Sequence, residues 1–430
     1  MRRRAVPAFA VVLAALILAV VAAIALPGAE LIAGALALPV LALGLLIAAP
    51  RQRLVALVLL GLGAAALLTA LLLGDRPTLP QLLALNQDLS AMIAATSFVG
   101  IVAQGARDSA PRLQGAAAVW RTAGLTHFLG AIVNTSAVAI VGDHLRREGP
   151  LRPADAALLS RSYMTAAFWS PFWASSAAAL SLVPQANVPV LVTVGLLLAV
   201  VTLSAGMPDV LRQYGDDLAG YRGYALNWEL LRVPVALVVA VVVAHLLTPQ
   251  TPVPRIVALC AIGVTLVALL LKDAPNTART LWRHTLESLP LLRGEISLFT
   301  SAGVLTVGIA ALFRVFPVSL PIPGFDVTVA WLCVLAMTLV ALVGVHQLIS
   351  LAIIASIILP LHPQPTLFAM MATIGWGLAS IIGPISGLQL YLQGRYGISS
   401  RVTTRRNLLF AGIVLAIAWP ALFAVSALGL

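Results

Sequence analysis

Four short stretches place polar side chains inside otherwise apolar runs, and each has the residue types to handle an ion or a charged solute. Asn134-Thr135-Ser136 interrupts an apolar segment flanked by charged residues on both sides. Short amide and hydroxyl side chains at a chain reversal can replace the water around a small cation, and a helix starting there offers amino-terminal NH groups to a carboxylate. Ser170-Pro171 breaks a second apolar run, with Ser175 and Ser176 close behind. Proline removes one NH and clashes with the preceding turn, which predicts carbonyls left open to coordinate Na+. His346-Gln347 sits in a long apolar segment, where an ionisable group is a functional hypothesis by default. That histidine could bind solute or carry a proton near neutral pH. Gly383-Pro384-Ile385-Ser386, followed by Gln389, predicts an unwound segment with polar groups beside it.

Each stretch also has a plainer role. Asn, Thr and Ser cap helix breaks or bond a neighbouring helix, proline kinks are common in membrane helices, and a lone histidine is often a neutral side chain on a backbone carbonyl. With both roles weighed, the expected solute-binding residues are Asn134, Thr135, Ser136, Ser170, His346, Gln347 and Ser386. The expected cation-binding positions are Asn134, Thr135, Pro171, Gly383 and Pro384. Asp88 and Glu295, near the mouths of their runs, are expected to be held by helix dipoles rather than to gate.

The elements that must position these residues follow from composition. Of 430 residues, 61% are hydrophobic and 10% charged, against about a quarter charged in soluble domains. The sequence therefore reads as an all-α polytopic membrane protein. Its net charge of +11 comes from arginines in short loops, as the positive-inside bias requires, and not from a nucleic-acid surface. Cys260 and Cys333 lie in apolar runs and read as small hydrophobes, without a disulfide or a metal.

Apolar runs of spanning length fall at about 6–26, 30–49, 53–73, 80–104, 156–183, 188–206, 232–248, 255–271, 294–313, 366–391 and 408–428. Two further segments, 113–145 and 327–360, read as re-entrant hairpins that turn near Asn134 and His346. With the amino terminus cytoplasmic, the eleven spans leave the carboxyl terminus outside. All but Arg76, Arg255 and Arg314 of the 26 basic residues then face the cytoplasm. The hairpins enter from opposite faces, which divides the chain into an amino-terminal helix (1–29), a first repeat (30–206, broken at 170–171), an interfacial connection (207–231) and an inverted second repeat (232–430, broken at 383–384). Asp88 and Glu295, Asn134 and His346, and Ser170 and Gly383 correspond at separations of 207, 212 and 213 residues. Inverted repeats with broken helices and a midplane site are the plan of a secondary transporter.

From about Glu30 onward this layout resembles the divalent anion/sodium symporter family of the ion transporter superfamily. That family carries Ser-Asn-Thr at each hairpin tip. Val133-Asn134-Thr135 keeps the Asn and Thr, whereas Val345-His346-Gln347 keeps none of the three. The resemblance implies a cation or substrate role for Asn134 and Thr135, and gives His346 and Gln347 only a corresponding position. It implies transport of a carboxylate or oxyanion coupled to Na+ or H+, with a hairpin-containing core alternating against a scaffold of the remaining spans.

The expectation is thus a homodimeric secondary transporter of a small anionic solute in a bacterial-type inner membrane. It has the lipid bilayer as its surroundings, no nucleic-acid partner, no cofactor beyond a coupling Na+, and no catalytic or resident-metal residues. A cation/proton antiporter centred on His346 and Asp88 is the nearest alternative, and a membrane-embedded assembly or lipid-handling protein is the alternative of another class. No phosphate loop with lysine and no nucleophile-base constellation is present, so the chain does not read as an ATP-driven transporter or an enzyme.

Overall fold

A computed structural model describes residues 2–102, 113–147, 149–223, 228–316 and 324–428. These form helices joined by turns, with no strand among the described residues. In chain order they are α1 (Arg2–Ala22), α2 (Ala29–Ile47), α3 (Pro50–Leu72), α4 (Leu79–Leu82), α5 (Gln87–Val102), α6 (Gly115–Val133), α7 (Thr135–Arg147), α8 (Pro153–Met164), α9 (Ala174–Leu182) and α10 (Val188–Tyr214). Then come α11 (Trp228–Leu247), α12 (Val253–Asp273), α13 (Thr277–Glu287), α14 (Arg293–Val315), α15 (Val327–Leu342), α16 (Gln347–Ile358), α17 (Pro365–Ile382), α18 (Gly387–Tyr396) and α19 (Ser400–Leu428).

Seven helical segments are long and apolar enough to cross a membrane, and one of them, Val253–Val315, contains both α12 and α14. The chain is a multi-pass membrane protein. Helices are what hydrocarbon permits, because a spanning backbone finds no water to satisfy its NH and carbonyl groups. Leu54, Leu62, Leu68 and Leu72 stay exposed along α3, as side chains facing lipid tails would.

The chain divides into two compact units, and each draws segments from both sequence halves. The first comprises Met1–Val102, Ala236–Pro323 and Ala355–Ile357. At its centre α3 and α14 cross so closely that a Cβ added at Gly308 would fall on the backbone of Gly63. Small residues at such crossings let helices gain contact area where no hydrophobic drive separates protein from lipid. Charged groups gather at the two ends of α2. At its amino end the Arg255 guanidinium bonds Asp88 at 2.9 Å and lies 3.6 Å from Glu30. At its carboxyl end Arg53 donates to Leu46 O and Arg293 to Ile47 O, both at 3.0 Å. A rise of about 1.5 Å per residue puts Glu30 and Ile47 roughly 26 Å apart, near the hydrocarbon thickness of about 30 Å. The expected run at 80–104 is interrupted: Asn86 takes φ 57°, its amide bonds Phe299 O at 3.0 Å, and only α5 continues as a long helix.

The second unit comprises Ala103–Val235, Gly324–Ile354 and Ile358–Leu430. It holds the helix-turn-helix element α6–α7, most of a second one, α15–α16, whose residues Ala355–Ile357 belong to the first unit, and two interrupted helices, α8 to α9 and α17 to α18. The connection expected from residue 207 begins later, because α10 runs on to Tyr214. Met207, Val210 and Tyr214 continue the buried stripe of that helix and pack on Ala118, Val119 and Leu158. Residues 224–227 of the same connection lie outside the described residues. Trp331 of α15 donates to Leu415 O of α19 at 2.8 Å, and Met337 fills the notch at Gly375 of α17.

Candidate functional site

The α6–α7 turn is made by one residue. Asn134 takes φ 50° and ψ −136°, a backbone conformation that L side chains rarely adopt, so α7 starts immediately as the chain reverses. Around this turn the first interrupted helix is fitted group by group. Beyond α8 a 3-10 turn, Thr165–Phe168, leads to an open stretch before α9. Gly195 of α10 and Gly377 of α17 leave room for this turn, since a Cβ at either would collide with Phe168. From the open stretch, Ser170 donates to Ala131 O, and Trp173 Nε1 donates to Gly130 O at 2.8 Å. The Asn134 amide donates to Phe172 O at 3.3 Å, and Thr135 Oγ1 lies 3.2 Å from the Tyr163 hydroxyl of α8. Tyr163 itself stacks on Trp173, with ring centroids 4.6 Å apart. Thus Asn134, Thr135, Ser170 and Pro171 come together, with Asn134, Thr135 and Pro171 half-buried and Ser170 buried. The side chain of Ser136 lies outside the described residues.

The other end of the same hairpin meets the second interrupted helix. Arg395 of α18 donates from Nε to Asp143 Oδ1 at 2.9 Å and pairs through Nη2 with Oδ2. The Tyr396 hydroxyl sits 3.0 Å from Asp143 Oδ1, over Gly142. Hairpin α6–α7 therefore touches both interrupted helices, one from each sequence half.

The second break lies at Gly383-Pro384-Ile385, between α17 and α18, against Ala341 near the end of α15. Ser386 caps α18 by accepting from Gln389 N at 3.3 Å. His346 precedes α16 and accepts from Leu348 N through Nδ1 at 3.2 Å, the geometry of a helix cap, and Gln347 is buried beside it. No hydrogen bond joins His346 or Gln347 to the Asn134 group among the described residues.

The carbonyl four residues before each proline, expected to be left open, is taken up by a serine hydroxyl. Ala167 O, four residues before Pro171, accepts from Ser175 Oγ at 2.9 Å. Ser380 O, four before Pro384, accepts from Ser386 Oγ at 2.8 Å; Ile381 O takes Gln389 Nε2 and Ile382 O takes Thr404 Oγ1, each at 2.8 Å. The cause is the cost of an unsatisfied carbonyl away from water: Ser175, Ser386, Gln389 and Thr404 close these carbonyls, and of them only Ser386 was an expected solute ligand. What stays unpaired is side-chain capacity, at Ser176 Oγ, Ser380 Oγ and Gln389 Oε1, all buried.

Two further constellations escaped the sequence reading. His127 of α6 is fixed through both ring nitrogens: Nδ1 lies 3.0 Å from Ser162 O, and Nε2 accepts from Trp169 Nε1 at 3.0 Å. Since indole only donates, the proton sits on Nδ1. Arg161 of α8 is wholly enclosed. It bonds Asp209 and Arg406 O at 2.6 Å, Asn407 Oδ1 at 2.9 Å and Gly206 O at 3.2 Å, with Phe410 beneath its guanidinium. An arginine inside an apolar run was the visible signal for it. Its partners, over 40 residues away on α10 and over 240 away on α19, were not.

Asp88 and the Arg255 that engages it both lie within the first unit. No protein-family model matches the chain, and no curated protein matches it.

Proposed function

We propose that the chain is a secondary active transporter of a small anionic solute, a carboxylate or oxyanion coupled to Na+ or H+, with its site in the second unit. One observation carries this reading: hairpin α6–α7 turns at Asn134 against the open stretch after α8, while its far end is held by α18 beyond the second break. Helix ends, a strained turn and spare hydroxyls inside a membrane protein are expensive, and they are tolerated where they line a polar cavity. The eleven-span topology, the re-entrant entry of α6–α7 and α15–α16 and the inverted repeat belong to the same proposal. Both interrupted helices, hairpin α6–α7 and most of α15–α16 fall in one compact unit while α1–α5 and α12–α14 fall in the other, which supports a carrier body distinct from a scaffold.

The test is thermal stability of the purified protein against a panel of carboxylates and oxyanions, each in Na+ or K+ at two pH values. A ligand that binds only the folded state stabilises it by about 2.7 kcal/mol at a hundred times its Kd. A midpoint rise for one anion that needs Na+ identifies a Na+ symporter, and one that follows pH alone identifies H+ coupling. A rise with Na+ and none with any anion overturns the anion reading in favour of cation exchange.

A further inference from the structure

The short helix α13 links α12 to α14, two helices of spanning length, so it lies at a membrane surface. Its two faces differ sharply. Thr277, Leu281, His284, Thr285 and Ser288 point into the first unit, at the spacing of one helical stripe. His284 Nε2 lies 3.0 Å from Ser97 Oγ of α5, and its ring packs on Phe98 at 4.5 Å. The helix is thereby pinned through its polar and apolar inward groups.

The outward face carries Arg279, Trp282 and Arg283, three residues on adjacent turns. Both arginines are exposed, and neither has a hydrogen bond or ion pair among the described residues. Trp282 is 55% exposed, which is costly in water and favourable at the headgroup level of a bilayer. Lys272, also exposed, adds a third positive charge at the end of α12. Of the nearby acids, Asp273 accepts from Asn276 Nδ2 through both oxygens, at 3.1 and 3.0 Å, and Glu287 lies one turn past Arg283; neither forms an ion pair with Arg279 or Arg283 among the described residues. Arg53 and Arg293 of the same unit, by contrast, donate to carbonyls at the end of α2, and Arg255 and Arg314 pair with carboxylates.

Unpaired guanidinium groups either side of an exposed indole, held at the bilayer surface, complement one chemistry: a phosphate diester whose acyl chains lie beside the ring. We propose that the Arg279, Trp282 and Arg283 face of α13 binds the headgroups of anionic phospholipids. The site is separate from the Asn134 group and does not depend on whether the chain carries a solute.

The test titrates phosphatidylglycerol or phosphatidylcholine into the full-length, detergent-purified protein and reads the thermal midpoint and apparent lipid affinity. Phosphatidylglycerol raises the midpoint and phosphatidylcholine does not, and the difference shrinks in 0.5 M salt. Affinity for phosphatidylglycerol falls about fivefold for each arginine replaced by glutamine, and Arg279→Lys with Arg283→Lys keeps most of it. Equal affinity in the wild type and the Arg279→Gln, Arg283→Gln variant overturns the proposal. So does an equal midpoint rise with inorganic phosphate, which would make the site one for a free anion. Should the double variant not purify folded, the two single variants decide, each by its own fivefold loss or its absence.

Discussion

Asn134 does two separable jobs, and substitution can part them. Its backbone holds a conformation that costs a non-glycine residue about 1 to 3 kcal/mol, and its amide bonds Phe172 O. Asn134→Gly relieves the backbone and removes the amide; Asn134→Ala removes the amide and keeps the strain. Solute uptake into vesicles is expected to be lost in both, while the unfolding midpoint drops only in the alanine variant. Uptake by Asn134→Gly at the wild-type rate would remove the residue from the site. Asp75 titrates differently from a free carboxylate because the Arg314 guanidinium bonds both its oxygens, at 3.1 and 2.8 Å, and holds its pKa below the usual range. A depressed pKa stabilises the fold above the ordinary carboxylate value of about 3.9, and that contribution fades as pH falls through the folded value. The wild type is therefore expected to unfold at a higher temperature than Asp75→Asn at pH 7 and to lose that advantage as pH falls through the lowered pKa of Asp75.

At the scale of elements, Arg161 ties three helices together. Its charge sits on α8, its carboxylate on α10, and its other acceptors on α10 and α19. Removing one partner of a buried pair leaves a charge without compensation, at about 3 to 5 kcal/mol, whereas an apolar replacement of the whole group can be nearly neutral. Asp209→Asn is thus expected to lower the unfolding midpoint more than Arg161→Met combined with Asp209→Leu, as read by thermal unfolding in detergent. The elements themselves were legible where the signal is local. Asn134 marked a turn, and Ser170-Pro171 and Gly383-Pro384 marked interruptions, because glycine, proline and short polar residues act on their own backbone. The end of α10 was misread because Met207 to Tyr214 looks polar in one dimension. Its apolar residues fall every three or four positions and face Ala118 and Leu158, which only the folded chain brings near. Ser386 was expected to bind solute; in the fold its hydroxyl donates to Ser380 O, and Ser175 and Gln389 likewise close carbonyls, contacts that no local reading of the sequence supplies.

On the scale of the whole molecule, composition was enough for an all-helical membrane protein, since the bilayer admits few alternatives. The grouping into units was not legible. Contacts between α7 and α18, or α8 and α19, join residues some 250 positions apart, and nothing in the local sequence of Asp143 announces Arg395. This interleaving also orders the birth of the protein. When α8 enters the bilayer during synthesis, Asn407 and the Arg406 carbonyl have yet to be made, and Arg161 must wait through roughly 240 residues with part of its hydrogen-bonding shell missing. Until then an arginine needs water or lipid phosphate to hold its charge. The arrival of α19, almost the last segment to be made, is therefore what completes the shell around Arg161.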